Sequence, residues 1–207
     1  IVSVWGLCPK STVVSAMCDN SKPDGSQMAL QQMKNQFPSS WKYTMYNAIT
    51  TAANESPNDT NIVLVDDFIG TGTTTVRKVD YVKRTFAQRN VKNYKIYVCS
   101  IGAMMDSKQV ISPHVNGLFA AQWMEKGISV LAPKDKTDSY IEQMLIMESR
   151  LEWRTDIQQK FSLGYGKSEA LFSLPSTNIP NNVFPIFWWR YAKKRPKEER
   201  ETMFKRI

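Results

Sequence analysis

Histidine and cysteine are scarce in this sequence, which has one histidine, His114, and three cysteines with no Cys-x-x-Cys pair. A zinc site is therefore not expected, and the odd cysteine count predicts free thiols in a reducing cytoplasm. Runs of about 18 apolar residues are also missing, so we expect no membrane-spanning helix and no membrane partner. The apolar start, Ile1–Leu7, is short and lacks the basic flank of a signal peptide.

Positive charge is abundant but unevenly placed. The chain carries 27 basic and 19 acidic residues, a net charge of +8. Between Arg190 and Arg206 there are eight lysines and arginines against three glutamates, a net of +5. Such a segment can bind nucleic acid through its phosphates, but the interspersed glutamates favour a solvated helix or a tail that docks on a partner protein. The sequence leaves open whether two copies form a homodimer.

Apolar spacing predicts alternating strands and helices. The uninterrupted run Ile62–Val65 is typical of a strand buried on both faces, and Tyr94–Ile101 alternates as a strand does. Apolar residues recur at helical spacing over Gln27–Phe37 and Thr73–Arg89. This order predicts an α/β fold in which helices cover both faces of a parallel sheet.

Shorter patterns complete the predicted fold. We divide the chain into an α/β core, residues 1–135, and a helical and extended C-terminal segment, residues 136–207, that packs on the core. The further predicted elements are strands at Ile1–Trp5 and Gly127–Leu131, a loop over Lys10–Ser26, and helices at Trp41–Ala53, Val115–Lys126 and Tyr140–Gln159.

The segment Asn61–Thr75 combines features that suit a phosphorylated sugar. A buried strand ends at two adjacent carboxylates, Asp66 and Asp67, and a Gly/Thr loop then leads into a helix. Ligands of open α/β sheets bind beyond the carboxyl ends of the strands, where carboxylates suit sugar hydroxyls and Mg²⁺. The unpaired amides and the dipole at the start of a helix bind anions. The predicted phosphate site comprises Gly70, Thr71, Gly72, Thr73 and Thr74.

Each part of this segment also has a plainer interpretation. Two adjacent aspartates can be the polar end of a strand, and Thr73 can cap a helix. The order of strand, acid pair, Gly/Thr loop and helix favours the nucleotide site over this alternative.

The same string resembles the signature of type I phosphoribosyltransferases. In that family an apolar strand runs into two acidic residues, three further residues and Thr-Gly-x-Thr, which Asp66–Asp67, Phe68–Gly70 and Thr71–Thr74 match. The resemblance implies that the acids are the catalytic pair. They would hold the ribose hydroxyls of phosphoribosyl diphosphate together with Mg²⁺, and the loop would hold the 5-phosphate. It also implies that the core extends through about Leu131.

The chain departs from the type I pattern in two places. Gly70 stands where some members have an aspartate general base, so a base would have to come from elsewhere. The mobile hood loop that covers the substrate in the family is not recognisable. For the family's diphosphate loop there is a candidate, with a turn that caps a helix as the equal alternative. The candidate residues are Lys22, Asp24, Gly25 and Ser26.

The C-terminal third adds a glycine-rich segment, Leu163–Ser168, and an aromatic segment, Asn178–Arg190. Leu163–Ser168 is not a P-loop, because Phe161 stands where that motif needs glycine. Together with the acid pair, these segments resemble a divergent phosphoribosyltransferase-like family of bacterial conflict and antiphage systems. Asn181, Asn182 and Trp188 are conceivable site residues in this segment, although a structural segment laid across the sheet is the favoured alternative.

Three functions follow from these patterns. The first is a phosphoribosyltransferase that uses phosphoribosyl diphosphate or a related nucleotide with Mg²⁺, with a setting in antiviral defence implied by resemblance. The second is a non-catalytic nucleotide sensor or regulator, which Gly70 and the missing hood loop favour. The third is a module that binds nucleic acid or a partner protein through the basic C-terminal segment.

Overall fold

The protein, described by a computed structural model, is defined over residues 1–19, 24–175 and 177–206. The chain folds into two compact units, Ile1–Trp123 and Met124–Ile207. The sequence-based division was placed later, between residues 135 and 136. No helix in the described residues is long and apolar enough to cross a membrane.

The N-terminal unit is built on a five-stranded sheet with the strand order β2-β1-β3-β4-β5. The first four strands run parallel to their neighbours, and β5 lies at the edge beside β4. The strands are β1 (Thr12–Ala16), β2 (Met45–Tyr46), β3 (Asn61–Ile69), β4 (Lys95–Met104) and β5 (Gly117–Met124). The helices are α1 (Val2–Trp5), α2 (Gly25–Lys34), α3 (Ile49–Glu55), α4 (Thr73–Gln88) and α5 (Met105–Ile111).

The sheet is buried on both faces, as the sequence predicts. In β3, Ile62 and Leu64 pack on one face with residues of α3 and α4. Val63 and Val65 pack on the opposite face with residues of α2. Successive side chains of a strand point to opposite faces, so an unbroken apolar run fits a strand covered by helices on both sides. The predicted α/β class is confirmed.

The structure corrects three predictions in the first 55 residues. Ile1–Trp5 is not a strand, since α1 occupies it, and Trp5 packs on the sheet through the ring of Tyr97. The predicted loop Lys10–Ser26 contains β1, a fully buried strand whose five residues show no alternation. The predicted helix Trp41–Ala53 is a 3-10 turn followed by β2 and α3, because pairing with β1 draws the middle of the segment into the sheet.

The segment Val115–Lys126 was predicted as a helix but forms β5. Ala120 packs in the core on the α4 side, whereas Phe119 and Ala121 lie on the other face, which is the alternation of a strand. A short apolar run is compatible with a helix or with a strand, and pairing with β4 makes this one a strand. Gly127–Leu131, predicted as a strand, is a series of turns.

The C-terminal unit contains two helices and a small hairpin. Its elements are α6 (Thr137–Glu148), α7 (Thr155–Phe161), β6 (Tyr191–Ala192) and β7 (Arg195–Glu199). The single helix predicted over Tyr140–Gln159 is wrong, because Leu151 leaves the helical path to bridge to Ala192. The basic segment is not a helix either, since part of it pairs as the antiparallel hairpin of β6 and β7.

Candidate functional site

The acid pair lies inside β3 rather than just beyond it. Asp66 is in register with Ser100 of β4, and the strand continues past Asp67 to Ile69. Leu64 and Ile69 are five residues apart yet pack in the same core cluster, so the regular alternation of the strand breaks between them. At this irregularity the Asp67 amide donates a hydrogen bond to Asp66 Oδ1 at 3.1 Å, and the two carboxyl groups lie close enough to affect each other's pKa.

The local environment strongly disfavours two negative charges. Both acids are only partly exposed, and loss of hydration raises the pKa of Asp66 well above its usual range. The nearby Asp67 carboxyl raises it further, and desolvation also raises the pKa of Asp67. Lys78 of α4 acts in the opposite direction on Asp66, and its ammonium group donates a hydrogen bond to the Met17 carbonyl. The acid pair is therefore suited to bind a cation, or hydroxyl groups that donate hydrogen bonds to the carboxylates.

The start of α2 lies directly against this pair. A β-carbon built on Gly25 would stand 1.9 Å from Oδ2 of Asp67, so only glycine lets the carboxylate approach the helix backbone. The N-cap of α2 is Asp24, whose Oδ1 accepts a hydrogen bond from the Ser26 amide at 3.0 Å and another from the Ser26 hydroxyl. Asp24 and Ser26 are thus engaged in capping, as the alternative interpretation has it, while Gly25 touches the acid pair.

Lys22, the first residue of the candidate diphosphate loop, lies outside the described residues. The described part of the loop, at the start of α2, nevertheless contributes to the site. The charge of Asp24 raises the pKa of both Asp66 and Asp67, which brings a third carboxylate into the electrostatics of the pair.

The Gly/Thr loop presents the start of a 16-residue helix to solvent. Thr73 and Thr74 are exposed, and among the described residues the amides of the first three helical residues have no protein acceptor. Gly72 has φ 82°, and a β-carbon there would meet Ile111 Cγ1 at 3.0 Å, so glycine is required on both counts. The Thr71 and Thr73 hydroxyl oxygens lie 3.3 Å apart. Open amides, clustered hydroxyls and a helix dipole together form an anion site.

Comparison with protein families agrees with this geometry. The model of the PRTase-CE family matches residues 8–206. The chain belongs to the PRTase-CE family. Membership confirms the phosphoribosyltransferase-like character that the acid pair and the Gly/Thr loop indicate. A search of curated proteins returns no significant match.

The match of PRTase-CE spans the C-terminal unit too, where the conceivable site residues have structural roles. Asn182 is buried, and its Nδ2 donates to the Tyr165 carbonyl and to the Ser168 hydroxyl, both at 3.1 Å. Trp188 is buried and donates from Nε1 to the Val183 carbonyl at 2.8 Å. The carbonyl of Asn181 accepts the Tyr165 amide. These contacts favour the structural interpretation of the segment.

The basic segment of this PRTase-CE chain uses several of its guanidinium groups internally. Arg206 stacks 4.7 Å from the centre of the Trp188 ring. Arg190 pairs with Glu199 at 3.4 Å, and Arg200 donates from Nε to the Trp189 carbonyl at 2.7 Å. These three guanidinium groups therefore have structural contacts, and nucleic-acid binding through the segment stays a prediction.

The carboxylate oxygens of the acid pair suit a Mg²⁺ ion that is shared between the protein and a bound ligand. Carboxylate oxygens are hard ligands, and Mg²⁺ is commonly held by one or two carboxylates together with substrate phosphates and water. Among the described residues no group of three or more His, Cys, Asp or Glu side chains forms a metal site. Asp66 and Asp67 would therefore hold the ion only together with oxygens of a bound ligand.

The sequence predicts Gly25 as part of the diphosphate loop but does not indicate its contact with Asp67. Two further residues beside the acid pair, Lys78 and Ser100, carry no signal in the sequence. Lys78 lies on α4 beyond the phosphate loop, where a lysine is typical of an ordinary helix surface. Only the parallel register of β3 and β4 shows that Ser100 stands beside Asp66.

Proposed function

We propose that this chain binds phosphoribosyl diphosphate, or a closely related ribose 5-phosphate nucleotide, together with Mg²⁺, and transfers its phosphoribosyl group. The observation that carries the proposal is the pair Asp66 and Asp67, two adjacent and largely desolvated carboxylates, of which Asp67 lies against the start of α2. Buried carboxylates are costly unless paired with cations or donors, and sugar hydroxyls with Mg²⁺ supply both.

The N-terminal ends of α2 and α4 would bind different parts of the ligand. The 5-phosphate suits the open amides of α4 and the hydroxyls of Thr71, Thr73 and Thr74. The ribose hydroxyls suit the acid pair. The diphosphate would lie near Gly25 at the start of α2, where Asp66 and Asp67 would hold a Mg²⁺ ion that offsets the negative charge of the carboxylates, including that of Asp24.

The chemistry is a substitution at C1 of the ribose. The bond from C1 to the diphosphate oxygen breaks, and its electron pair leaves with the diphosphate. An acceptor nucleophile forms the new bond to C1 and releases its proton. Mg²⁺ would supply charge stabilisation for the departing diphosphate, while Asp66 and Asp67 orient the sugar and offset positive charge that develops on the ring.

A non-catalytic sensor is the second candidate, and Gly70 favours it. Glycine at this position cannot accept the proton that the acceptor loses, so binding would proceed without turnover unless another base serves. A role in antiviral defence stays a prediction from resemblance, and the internal engagement of Arg190, Arg200 and Arg206 leaves the nucleic-acid module as the least supported function.

Calorimetric titration with phosphoribosyl diphosphate, with and without Mg²⁺, tests the proposal. We expect Mg²⁺-dependent binding that Asp66→Asn combined with Asp67→Asn weakens at least about 100-fold, since both sugar and metal contacts are lost. Asp80→Asn, a half-exposed carboxylate on α4, is the matched control and should leave affinity unchanged. Diphosphate release with a panel of nucleobases then separates a transferase from a sensor. Unchanged affinity in the double variant would remove the acids from the site and overturn the proposal.

A further inference from the structure

A basic pocket of about 220 Å³ lies against α4 within the N-terminal unit. The wall of this α4 pocket consists of Asp19, which follows β1, Ile49 of α3, and four residues of α4: Arg77, Lys78, Tyr81 and Arg84. Three cations against one carboxylate give the wall a formal charge of +2. A concave wall with an excess of one sign of charge concentrates ions of the opposite sign, so the pocket is suited to an anion.

Two of the three cations are free to bind a ligand. Arg77 and Arg84 are exposed, and neither forms an ion pair or a side-chain hydrogen bond within residues 1–19, 24–175 and 177–206. Lys78 differs, because its ammonium group donates a hydrogen bond to the Met17 carbonyl and is thereby fixed in the wall. Neighbouring positive charges repel one another, and an anion held between them offsets this repulsion.

The spacing of the arginines along α4 indicates the size of the anion. Arg77, Tyr81 and Arg84 are at positions i, i+4 and i+7, so they lie on one face of the helix. At a rise of about 1.5 Å per residue, the backbones of the two arginines are about 10 Å apart along the helix axis. A row of linked phosphates can contact two guanidinium groups at this spacing, and each guanidinium binds phosphate oxygens through paired N–H groups. We therefore expect an oligophosphate rather than a single phosphate.

A nucleic-acid strand fits the pocket less well. Proteins that bind single strands combine positive charge with exposed aromatic rings on which the bases stack. Tyr81 is the aromatic residue in the described wall, and it packs against the hydrophobic core. The described wall thus supplies charge and hydrogen-bond donors but not a ring surface for a base.

The α4 pocket is separate from the phosphate positions of the proposed function. Ile49 belongs to the core on the face of the sheet that α3 and α4 cover, whereas residues of α2 pack on the opposite face. The diphosphate position near Gly25 is at the start of α2. Arg84 is ten residues beyond Thr74, about 15 Å along the helix from the loop that would hold the 5-phosphate.

We infer that the α4 pocket is a second ligand site, which binds an oligophosphate anion through Arg77 and Arg84, with Lys78 as a fixed positive charge in its wall. The anion is either an inorganic chain such as tripolyphosphate or the phosphate tail of a nucleoside triphosphate, since both present the same row of oxygens. The inference goes beyond the proposed function, because it requires neither the acid pair nor a ribose.

Calorimetric titration with sodium tripolyphosphate, at low and constant ionic strength, tests this inference. Mg²⁺ is omitted, because binding at the acid pair depends on it in the proposed function. We expect Arg77→Ala and Arg84→Ala each to weaken binding about five- to tenfold, and together about 30-fold or more, since hydrogen bonds between charged groups are lost. Inorganic phosphate should bind at least about tenfold more weakly than tripolyphosphate, because it reaches one arginine at a time.

Lys83→Ala is the matched control, because it removes the same charge from α4 at a position that does not line the pocket. It should leave the affinity within about twofold. ATP distinguishes the two sources of the anion. An affinity equal to or below that of tripolyphosphate assigns the site to the bare chain, and a higher affinity that the arginine variants reduce assigns it to a nucleotide.

Several results would overturn the inference: no binding of tripolyphosphate, equal binding of inorganic phosphate, or equal losses in Lys83→Ala and Arg77→Ala. Binding that survives the arginine variants but is lost in Thr73→Ala combined with Thr74→Ala would place the anion on the phosphate loop instead. A short oligothymidylate that binds more tightly than tripolyphosphate, and loses affinity in the arginine variants, would make the occupant a nucleic-acid strand and also overturn it. If tripolyphosphate binds as expected but phosphoribosyl diphosphate does not bind, the proposed function fails and this inference stands.

Discussion

The two units of the molecule treat their buried carboxylates in different ways. In the C-terminal unit, Glu148 is fully buried and accepts hydrogen bonds from the Ser162 hydroxyl at 2.6 Å and from the Leu163 amide at 3.0 Å. In the N-terminal unit, Asp66 accepts a hydrogen bond from the adjacent Asp67 amide at 3.1 Å, and the nearby Asp67 carboxyl adds to the desolvation that raises the pKa of Asp66.

This difference separates a structural carboxylate from one that serves a ligand. The donors to Glu148 come from 14 and 15 residues further along the chain, so the carboxylate ties two parts of its unit together. Asp66 lines an open cavity, and Asp67 lies against the start of α2. Burial raises the pKa of both kinds of acid, so the partners rather than the burial distinguish the two roles.

Replacing Glu148 should produce the largest loss of stability. Glu148→Ala leaves the Leu163 amide and the Ser162 hydroxyl without their acceptor and opens a cavity, which we expect to lower the free energy of unfolding by about 2–4 kcal/mol. Glu148→Gln keeps one acceptor oxygen and should cost less. Glu142→Ala, an exposed position on the same helix, is the control. Urea denaturation measures all three, and equal effects of Glu148→Ala and Glu142→Ala would contradict the structural role.

Replacing Gly25 should have the opposite effect: affinity for the ligand falls, while the free energy of unfolding is retained. The added methyl group of Gly25→Ala occupies the place of the Asp67 carboxylate, which can rotate away because it is the tip of a side chain. We expect affinity for phosphoribosyl diphosphate to fall about 10–100-fold, since small displacements of positioned groups have effects of this size. The helix itself should gain slightly, because alanine favours helices over glycine.

The control for this variant is Gln31→Ala, an exposed position on α2. Calorimetry measures affinity, and thermal unfolding monitors the fold. If Gly25→Ala binds phosphoribosyl diphosphate as tightly as the unsubstituted protein, Asp67 does not need its position against α2, and the comparison between ligand-directed and structural acids weakens.

The strand, loop and helix around the acid pair were predictable because all their signals are local. An apolar run marks β3, apolar spacing marks α4, and the Gly/Thr loop lies between them. The contacts that complete the site are not local. The pairing of Asp66 with Ser100 depends on sheet register, and the contact of Gly25 with Asp67 joins residues 42 positions apart in the chain.

The mispredicted elements share a physical cause. The short strands β1 and β5 are defined by pairing in the sheet, whereas their residue patterns are too brief or too uniformly apolar to show a period of two. The long helix predicted across Leu151 is wrong because Leu151 forms a β-bridge with Ala192, a contact distant in the chain that the local residue pattern does not indicate. Because the sequence pattern does not indicate β1, it also does not indicate that α2 begins beside β3. The contact of Gly25 with Asp67 is therefore not predictable from the sequence.

Removing the charge of Asp66 should change the free energy of unfolding by less than replacing Glu148 does, and the sign of the change is diagnostic. Because the folded-state pKa of Asp66 is raised, the folded protein holds the proton more tightly than the unfolded chain does. The stability this proton contributes is complete below the ordinary carboxyl pKa and is lost as pH rises through the folded-state value. Asp66→Asn has no charge to bury, so relative to the unsubstituted protein it should gain stability with rising pH, by roughly 1 kcal/mol at neutral pH.

Hydrogen exchange of peptides from β3 and β4, measured across this pH range, follows the effect locally. Asp156→Asn provides an exposed control: Arg154 lowers the pKa of Asp156 through a hydrogen bond, but solvent screens this exposed pair, so the variant should change stability at neutral pH very little. The same Asp66→Asn protein should bind phosphoribosyl diphosphate poorly. A variant that is more stable and less active is expected where the fold keeps an unfavourable charge for a ligand. If Asp66→Asn is less stable than the unsubstituted protein at neutral pH, Asp66 is a structural acid like Glu148.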